Sequence, residues 1–151
     1  MVKHFDHLTL VVRDLEKART FFDILGFRHV KTVVITGDEF ARYMGVPGIE
    51  AEHVTLVLEN AVPRTEIQLL HYLHPAVLPD PNIRNLSKVG MNHVCFAVED
   101  LDAEMERLRA AGFTPRSDIL EFHDRRLIFF DGPEGVTVEL SEWQTSEEGP
   151  Q

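Results

Sequence analysis

Several things are scarce in this sequence. It has a single cysteine, Cys95, in 151 residues. An intrachain disulfide is therefore excluded, and a reducing compartment fits best. Basic residues are few, with 15 Lys+Arg against 25 Asp+Glu and a formal net charge of −10. That balance argues against a nucleic-acid partner, because phosphate binding draws on an excess of Lys and Arg. Long apolar runs are absent too. The longest, such as Leu8 to Val12 and Leu127 to Phe130, fall far short of the ~18 residues that a membrane span requires. Met1-Val-Lys-His-Phe-Asp has no signal-peptide h-region, so a cytoplasmic protein is expected. What remains is ample for a core. Apolar residues make up 44% of the chain, which excludes global disorder. Histidine, at eight residues, is the conspicuous polar type.

The chain repeats itself. Residues 6–27 read DHLTLVVRDLEKARTFFDILGF and residues 92–113 read NHVCFAVEDLDAEMERLRAAGF, an ungapped offset of 86 with six identities in 22 positions. His7 matches His93, Asp14-Leu15 matches Asp100-Leu101, and Gly26-Phe27 matches Gly112-Phe113. Two related modules are predicted, 1–75 and 89–143, with a proline-bearing linker over 76–88 and a polar, flexible tail from 144. In each module an apolar strand (4–12, 91–98) leads to an Asp at a helix start, an amphipathic helix and a Gly stop. Three strands follow, near 28–35, 52–59 and 65–72, then near 115–121, 125–131 and 135–142. The predicted fold is α+β, βαβββ twice. The first module carries an insertion, 37–50, with a short helix over Glu39 to Met44.

Alternation along strands brings chemistry-bearing residues onto shared faces. His7 and His93 are equivalent positions of equivalent strands. A late strand in each module carries an oxygen donor: Gln68 or Glu66 in EIQLLHY, and Glu139 in GVTVELSEW. Two imidazoles and two oxygen donors suit one divalent ion such as Zn, Ni, Co, Mn or Fe(II). Arg125-Arg126 and Arg42-Tyr43 are candidates for holding an anionic substrate group. Phe21, Phe22, Phe129 and Phe130 read as core, and Cys95 as a small buried residue.

These segments, with FFDGPEGVTVELSEW above all, resemble the vicinal oxygen chelate superfamily, which includes glyoxalase I, methylmalonyl-CoA epimerase, extradiol dioxygenases and bleomycin-resistance proteins. The resemblance covers residues 4–142 and is greatest to a glyoxalase-like or epimerase-like branch. It implies paired βαβββ modules forming a cupped mixed sheet around one metal, a homodimer, and ligands at His7, Gln68, His93 and Glu139. Gln68 is favoured over Glu66 because the family's donor precedes a Leu pair, here Leu69-Leu70. One carboxylate on a divalent ion leaves a net +1, which would favour an oxyanion. The first expected activity is Lewis-acid-assisted proton transfer α to a carbonyl of a small carbonyl or thioester substrate, in an isomerase, epimerase or lyase, with Glu139 as base. Glu66, Glu52 or His53 would be a second base. Thr55 stands about where epimerases carry an acidic base, a departure that counts against strict methylmalonyl-CoA epimerase activity. The second is catechol ring cleavage at Fe(II) by His7, His93 and Glu139. The third is a metal-free binding or resistance protein.

Overall fold

The computed structural model describes residues 1–144. The expected flexible tail lies almost wholly outside that range. The chain divides into two compact units, Met1–Pro79 and a second from Asp80. Each holds one four-stranded mixed sheet, and the two sheets have the same strand order.

In the first unit the elements are β1 (His7–Val11), α1 (Leu15–Ile24), β2 (Phe27–Thr36), α2 (Asp38–Met44), β3 (Glu50–Leu58) and β4 (Glu66–His74). The sheet runs β1-β4-β3-β2, with β1 parallel to β4 and the other pairs antiparallel. Asp14 caps α1, its carboxylate accepting from the Lys17 N–H at 3.0 Å. Ala18, Phe21 and Phe22 form the buried stripe of α1. Ile67, Leu69, Val54 and Leu56, on one face of the sheet, are buried as well. Gly26, at φ +95°, ends the helix in a conformation costly for any residue with a Cβ. The inserted α2 has a separate role. Its Ala41, with Val46 and Tyr72, packs on a small cluster of Ile35, Ile49, Ala51 and Leu70 at one end of the opposite sheet face.

The second unit repeats the plan with β5 (Val94–Ala97), α3 (Leu101–Ala110), β6 (Leu120–Phe122), β7 (Arg125–Asp131) and β8 (Thr137–Trp143), in the order β5-β8-β7-β6. Asp100 caps α3, accepting from the Ala103 N–H at 2.9 Å. Leu101, Met105 and Leu108 are its buried stripe. Gly112 stops it at φ +90°. Part of the former linker is fixed here, since Arg84 forks onto the Asp131 carboxylate at 2.8 and 3.1 Å.

Two expected strands differ. The segment 115–121 pairs only through a bridge from Pro115 to Phe130 and the three-residue β6. Proline lacks the N–H that would continue the ladder. The strand expected over 91–98 is shorter, and His93 directly precedes it, beside Asn92, whose side-chain amide donates to the Leu86 carbonyl at 2.6 Å.

The turn before β8 positions Glu139. Gly132 donates to the Val136 carbonyl at 2.7 Å. A Cβ at Gly132 would stand 2.7 Å from Val138 Cγ2 and 2.9 Å from the Val136 oxygen. Gly132→Ala should therefore cost about 1–3 kcal/mol in urea unfolding. An unchanged midpoint would show that this turn has slack.

Candidate functional site

Cross-strand register decides which donors face which imidazole. In the first unit Thr9 lies opposite Gln68 and His7 opposite Glu66 on the parallel β1–β4 pair. In the second, Cys95 lies opposite Glu139 on the parallel β5–β8 pair. Because Thr9 and Cys95 are equivalent in the repeat, Gln68 is the register equivalent of Glu139. Glu66 is instead the equivalent of Thr137.

Both histidines are held in the same way. A carboxylate or amide oxygen can only accept, so each Nδ1 carries the proton. His7 Nδ1 donates to Asp6 at 2.5 Å, and His93 Nδ1 donates to Asn92 Oδ1 at 2.7 Å. In the neutral ring that arrangement leaves each Nε2 with a lone pair to offer. In the second unit His93 Nε2 stands 3.9 Å from Glu139 Oε1. The His93 ring meets Phe129 edge-on, 5.0 Å between centroids. In the first unit Asp6, His7 and Glu66 offer ligand atoms all within 4.8 Å of one another.

Gln68 is the most connected of the expected residues. Its carbonyl oxygen accepts from Thr9 Oγ1 at 3.1 Å and from His53 Nε2 at 3.0 Å, while its amide donates to Glu66 at 3.1 Å. Glu66 is also gripped by Arg64, at 2.9 and 2.5 Å. Partial burial pushes the Glu66 carboxyl up, but the bonds from Arg64 and Gln68 outweigh it and hold the group below its usual range. The His7 hydrogen bond likewise lowers Asp6.

These donors suit a divalent ion. Each unit offers one imidazole nitrogen and an oxygen on the neighbouring strand, the mixture that borderline divalent metals accept. The hydrogen bonds at Nδ1 are of the kind that orient metal-binding histidines. His53 lies on this face. Glu52 does not, because it pairs with His71 on the opposite face at 2.7 Å. Thr55 is buried opposite Gln68, so no acid occupies that position.

A cavity of about 450 Å³ opens beside Glu139, lined by Ile119, Leu120, Leu127 and Phe129 among others. That size accommodates a small ligand. Phe129, expected in the core, is half-buried and lies opposite Glu139 in the hairpin. Hairpin register could have flagged it, since Phe129 and Glu139 share a face, unlike Phe130. A larger cleft in the first unit runs between α1 and β2, lined by Leu15, Arg19 and Asp23, on the helix-covered side of the sheet.

Residues 4–140 match the glyoxalase/bleomycin resistance protein/dioxygenase superfamily. The chain belongs to that superfamily. One relative is an ethylmalonyl-CoA/methylmalonyl-CoA epimerase of Cereibacter sphaeroides, 28% identical over 113 residues, which are 74% of this chain and 73% of the relative. Among solved structures, a glyoxalase family protein from Bacillus cereus superposes with a TM-score of 0.86 at 24% identity, covering 96% of this chain and 97% of its own. The fosfomycin resistance protein FosX of Listeria monocytogenes, complexed with Mn(II) and a sulfate ion, superposes with a TM-score of 0.63 at 20% identity, covering 98% of each chain. Members of this superfamily bind small molecules, and some hold a divalent metal, as that FosX structure does.

Cys95 departs from expectation, being exposed rather than buried. Shielding around its sulfur nonetheless pushes the thiol up to about 12, and the hydrogen bond and charge of Glu139 push the same way. At pH 8 the thiolate, the reactive form, would then be a small minority. Iodoacetamide should therefore label Cys95 far more slowly than free cysteine at pH 8. Labelling at the free-cysteine rate would show that the sulfur is not shielded in this way.

Proposed function

We propose that the protein is a divalent-metal-dependent enzyme of the glyoxalase type that moves a proton α to a carbonyl of a small carbonyl or thioester substrate. His7, Gln68, His93 and Glu139 would hold the ion. The observation that carries this reading is the repeated half-site: an imidazole tied at Nδ1 by the residue before it, with an oxygen donor on the parallel neighbouring strand. When bound, the ion would supply Lewis acidity at the substrate carbonyl oxygen. The chain's own residues do the rest. Glu139 borders the cavity and would take and return the substrate proton. Phe129 and Leu127 give that space apolar walls that limit water. Glu66 is the candidate second proton carrier. Arg64 and Gln68 hold its carboxyl below the usual range, away from the working pH at which general bases are most efficient. The epimerase relative supports proton transfer as the reaction class.

One observation favours a second reading. Both lone pairs of the Gln68 carbonyl are already engaged by Thr9 and His53. If Gln68 keeps those bonds, His7, His93 and Glu139 make a 2-His-1-carboxylate set, which suits Fe(II) and ring-cleaving dioxygenation.

The test has two readouts. Metal content should be near one divalent ion per chain in wild type and far lower in His93→Ala. Incubation with small α-carbonyl acids and thioesters in D₂O should show metal-dependent deuterium incorporation, falling by about 100-fold or more in Glu139→Gln. Iron, with oxygen uptake on catechols and no deuterium exchange, would replace the first reading with the second. Absence of metal even after reconstitution would sink both.

The orienting bonds give a further expectation. Asn92→Ala removes the acceptor at His93 Nδ1, together with the bond to the Leu86 carbonyl, while leaving every proposed ligand residue in the chain. It should weaken binding of the ion by about 10-fold or more in a competition titration with a chelator. Unchanged affinity would show that the ring needs no such support.

A further inference from the structure

Arg125 faces the same side of its sheet as Glu139. In the β7–β8 hairpin Arg125 lies opposite Trp143 and Phe129 opposite Glu139, four residues apart along each strand. Its neighbour Arg126 takes the other face, where Asp102 and Glu142 hold its guanidinium at 3.1 and 3.2 Å. Arg125 has no carboxylate partner among the described residues. Its guanidinium lies over the Trp143 ring, 4.7 Å from the centroid, and its Nε is shielded from solvent without a hydrogen bond.

Two more polar groups on this face lack partners. Thr137 and Ser141 flank Glu139 along β8 and are 1% and 2% exposed. Neither hydroxyl has a hydrogen bond. Of the four such buried side-chain atoms among the described residues, three therefore sit on the Glu139 face, and the fourth is Glu104 Oε2 on α3. Native proteins pair nearly all buried polar atoms, so a local concentration of unpaired ones points to a missing ligand. Leu127 stands between Arg125 and Phe129 on this face and lines the cavity beside Glu139. The sheet face is thus apolar between Arg125 and Glu139, and the cavity borders its Leu127, Phe129 and Glu139 end.

We propose that Arg125, backed by Trp143, is an anion subsite that binds a carboxylate of the substrate, while the reacting carbon lies at Glu139. The second clause rests on the proton-transfer reading; the first does not. A planar guanidinium edge matches a carboxylate in paired hydrogen bonds. An aromatic ring behind it fixes its plane and leaves its outer edge to the ligand. Four residues of strand span about 13 Å between Cα atoms, and the long arginine side chain shortens that gap. The favoured substrate is a compact acid with a few apolar carbons between its carboxylate and its reactive carbonyl.

Trp143 is the only tryptophan in the chain, so intrinsic fluorescence reports on the Arg125 side chain directly. The probes are malonate, its uncharged analogue malonamide, and inorganic phosphate, titrated into wild type, Arg125→Gln and Arg125→Lys, with metal content measured on each. Saturable change with malonate and none with malonamide is expected. Arg125→Gln should weaken malonate binding by about tenfold or more, Arg125→Lys should recover part of it, and both should keep the wild-type metal content. Malonate binding equal in wild type and Arg125→Gln would overturn the subsite, whatever the metal result. Tighter binding of phosphate than of malonate would overturn the choice of a carboxylate. Arg125-dependent malonate binding in a protein that takes up no metal would uphold the subsite and refute the proton-transfer reading alone.

Discussion

In each half the first strand pairs in parallel with the last, β1 with β4 and β5 with β8. The geometry of the candidate site depends on the register of those two pairs. Strand side chains alternate between faces, so a slip of one residue would turn Gln68 or Glu139 into the core and bring an apolar neighbour outward. The slip is prevented from the other side of each sheet. Ile67 and Leu69, like Val138 and Leu140, are wholly buried. Exposing them would cost roughly 1.5–3 kcal/mol per side chain. Apolar burial on one face thus sets the address of the polar residues on the other.

The polar face needs more than an address. His7 and His93 stand at the first residue of a strand or just before it, where backbone pairing restrains them least. The restraint comes from the side chain of the preceding residue, Asp6 or Asn92. Gln68 is deeper in the sheet, and its orientation is held by three partners from its own and neighbouring strands. A neutral amide at this position is stable beside Glu66 because it donates to that carboxylate. A second carboxylate there would face Glu66 across one turn of alternation and repel it.

Much of this was legible in the sequence because the chain states it twice. The 86-residue offset aligned His7 with His93, Asp14 with Asp100 and Gly26 with Gly112; the caps and helix stops match in the structure, while His7 opens β1 and His93 lies one residue before β5. The roles of Thr9 and His53 were not legible. They depend on which residues of separate strands lie side by side, and composition and spacing along one strand do not carry that information. Phe129 was misread for a related reason. In the run LIFF both phenylalanines look alike, yet Phe130 is fully buried and Phe129 stands against the His93 ring. The weak strand at 115–121 failed on local chemistry, since Pro115 cannot donate to a ladder.

The two halves have kept the same frame while dividing its chemistry. In the first unit the face around Gln68 is internally satisfied: Thr9, His53, Glu66 and Arg64 form one hydrogen-bonded chain. In the second unit the face around Glu139 is not, with Thr137, Ser141 and Arg125 each carrying a shielded, unpaired polar atom. A satisfied network resists rearrangement, whereas unpaired donors gain whenever a complementary group arrives. The asymmetry divides the two units: the first pairs its polar groups with one another, and the second leaves several shielded and unpaired. The charges agree with this division. Arg64 is neutralised by Glu66 within the first network, while Arg125 lies over the Trp143 ring and has no carboxylate partner among the described residues. In a chain of net charge −10, a half-buried guanidinium without a carboxylate partner among the described residues offers an incoming anion a local attraction.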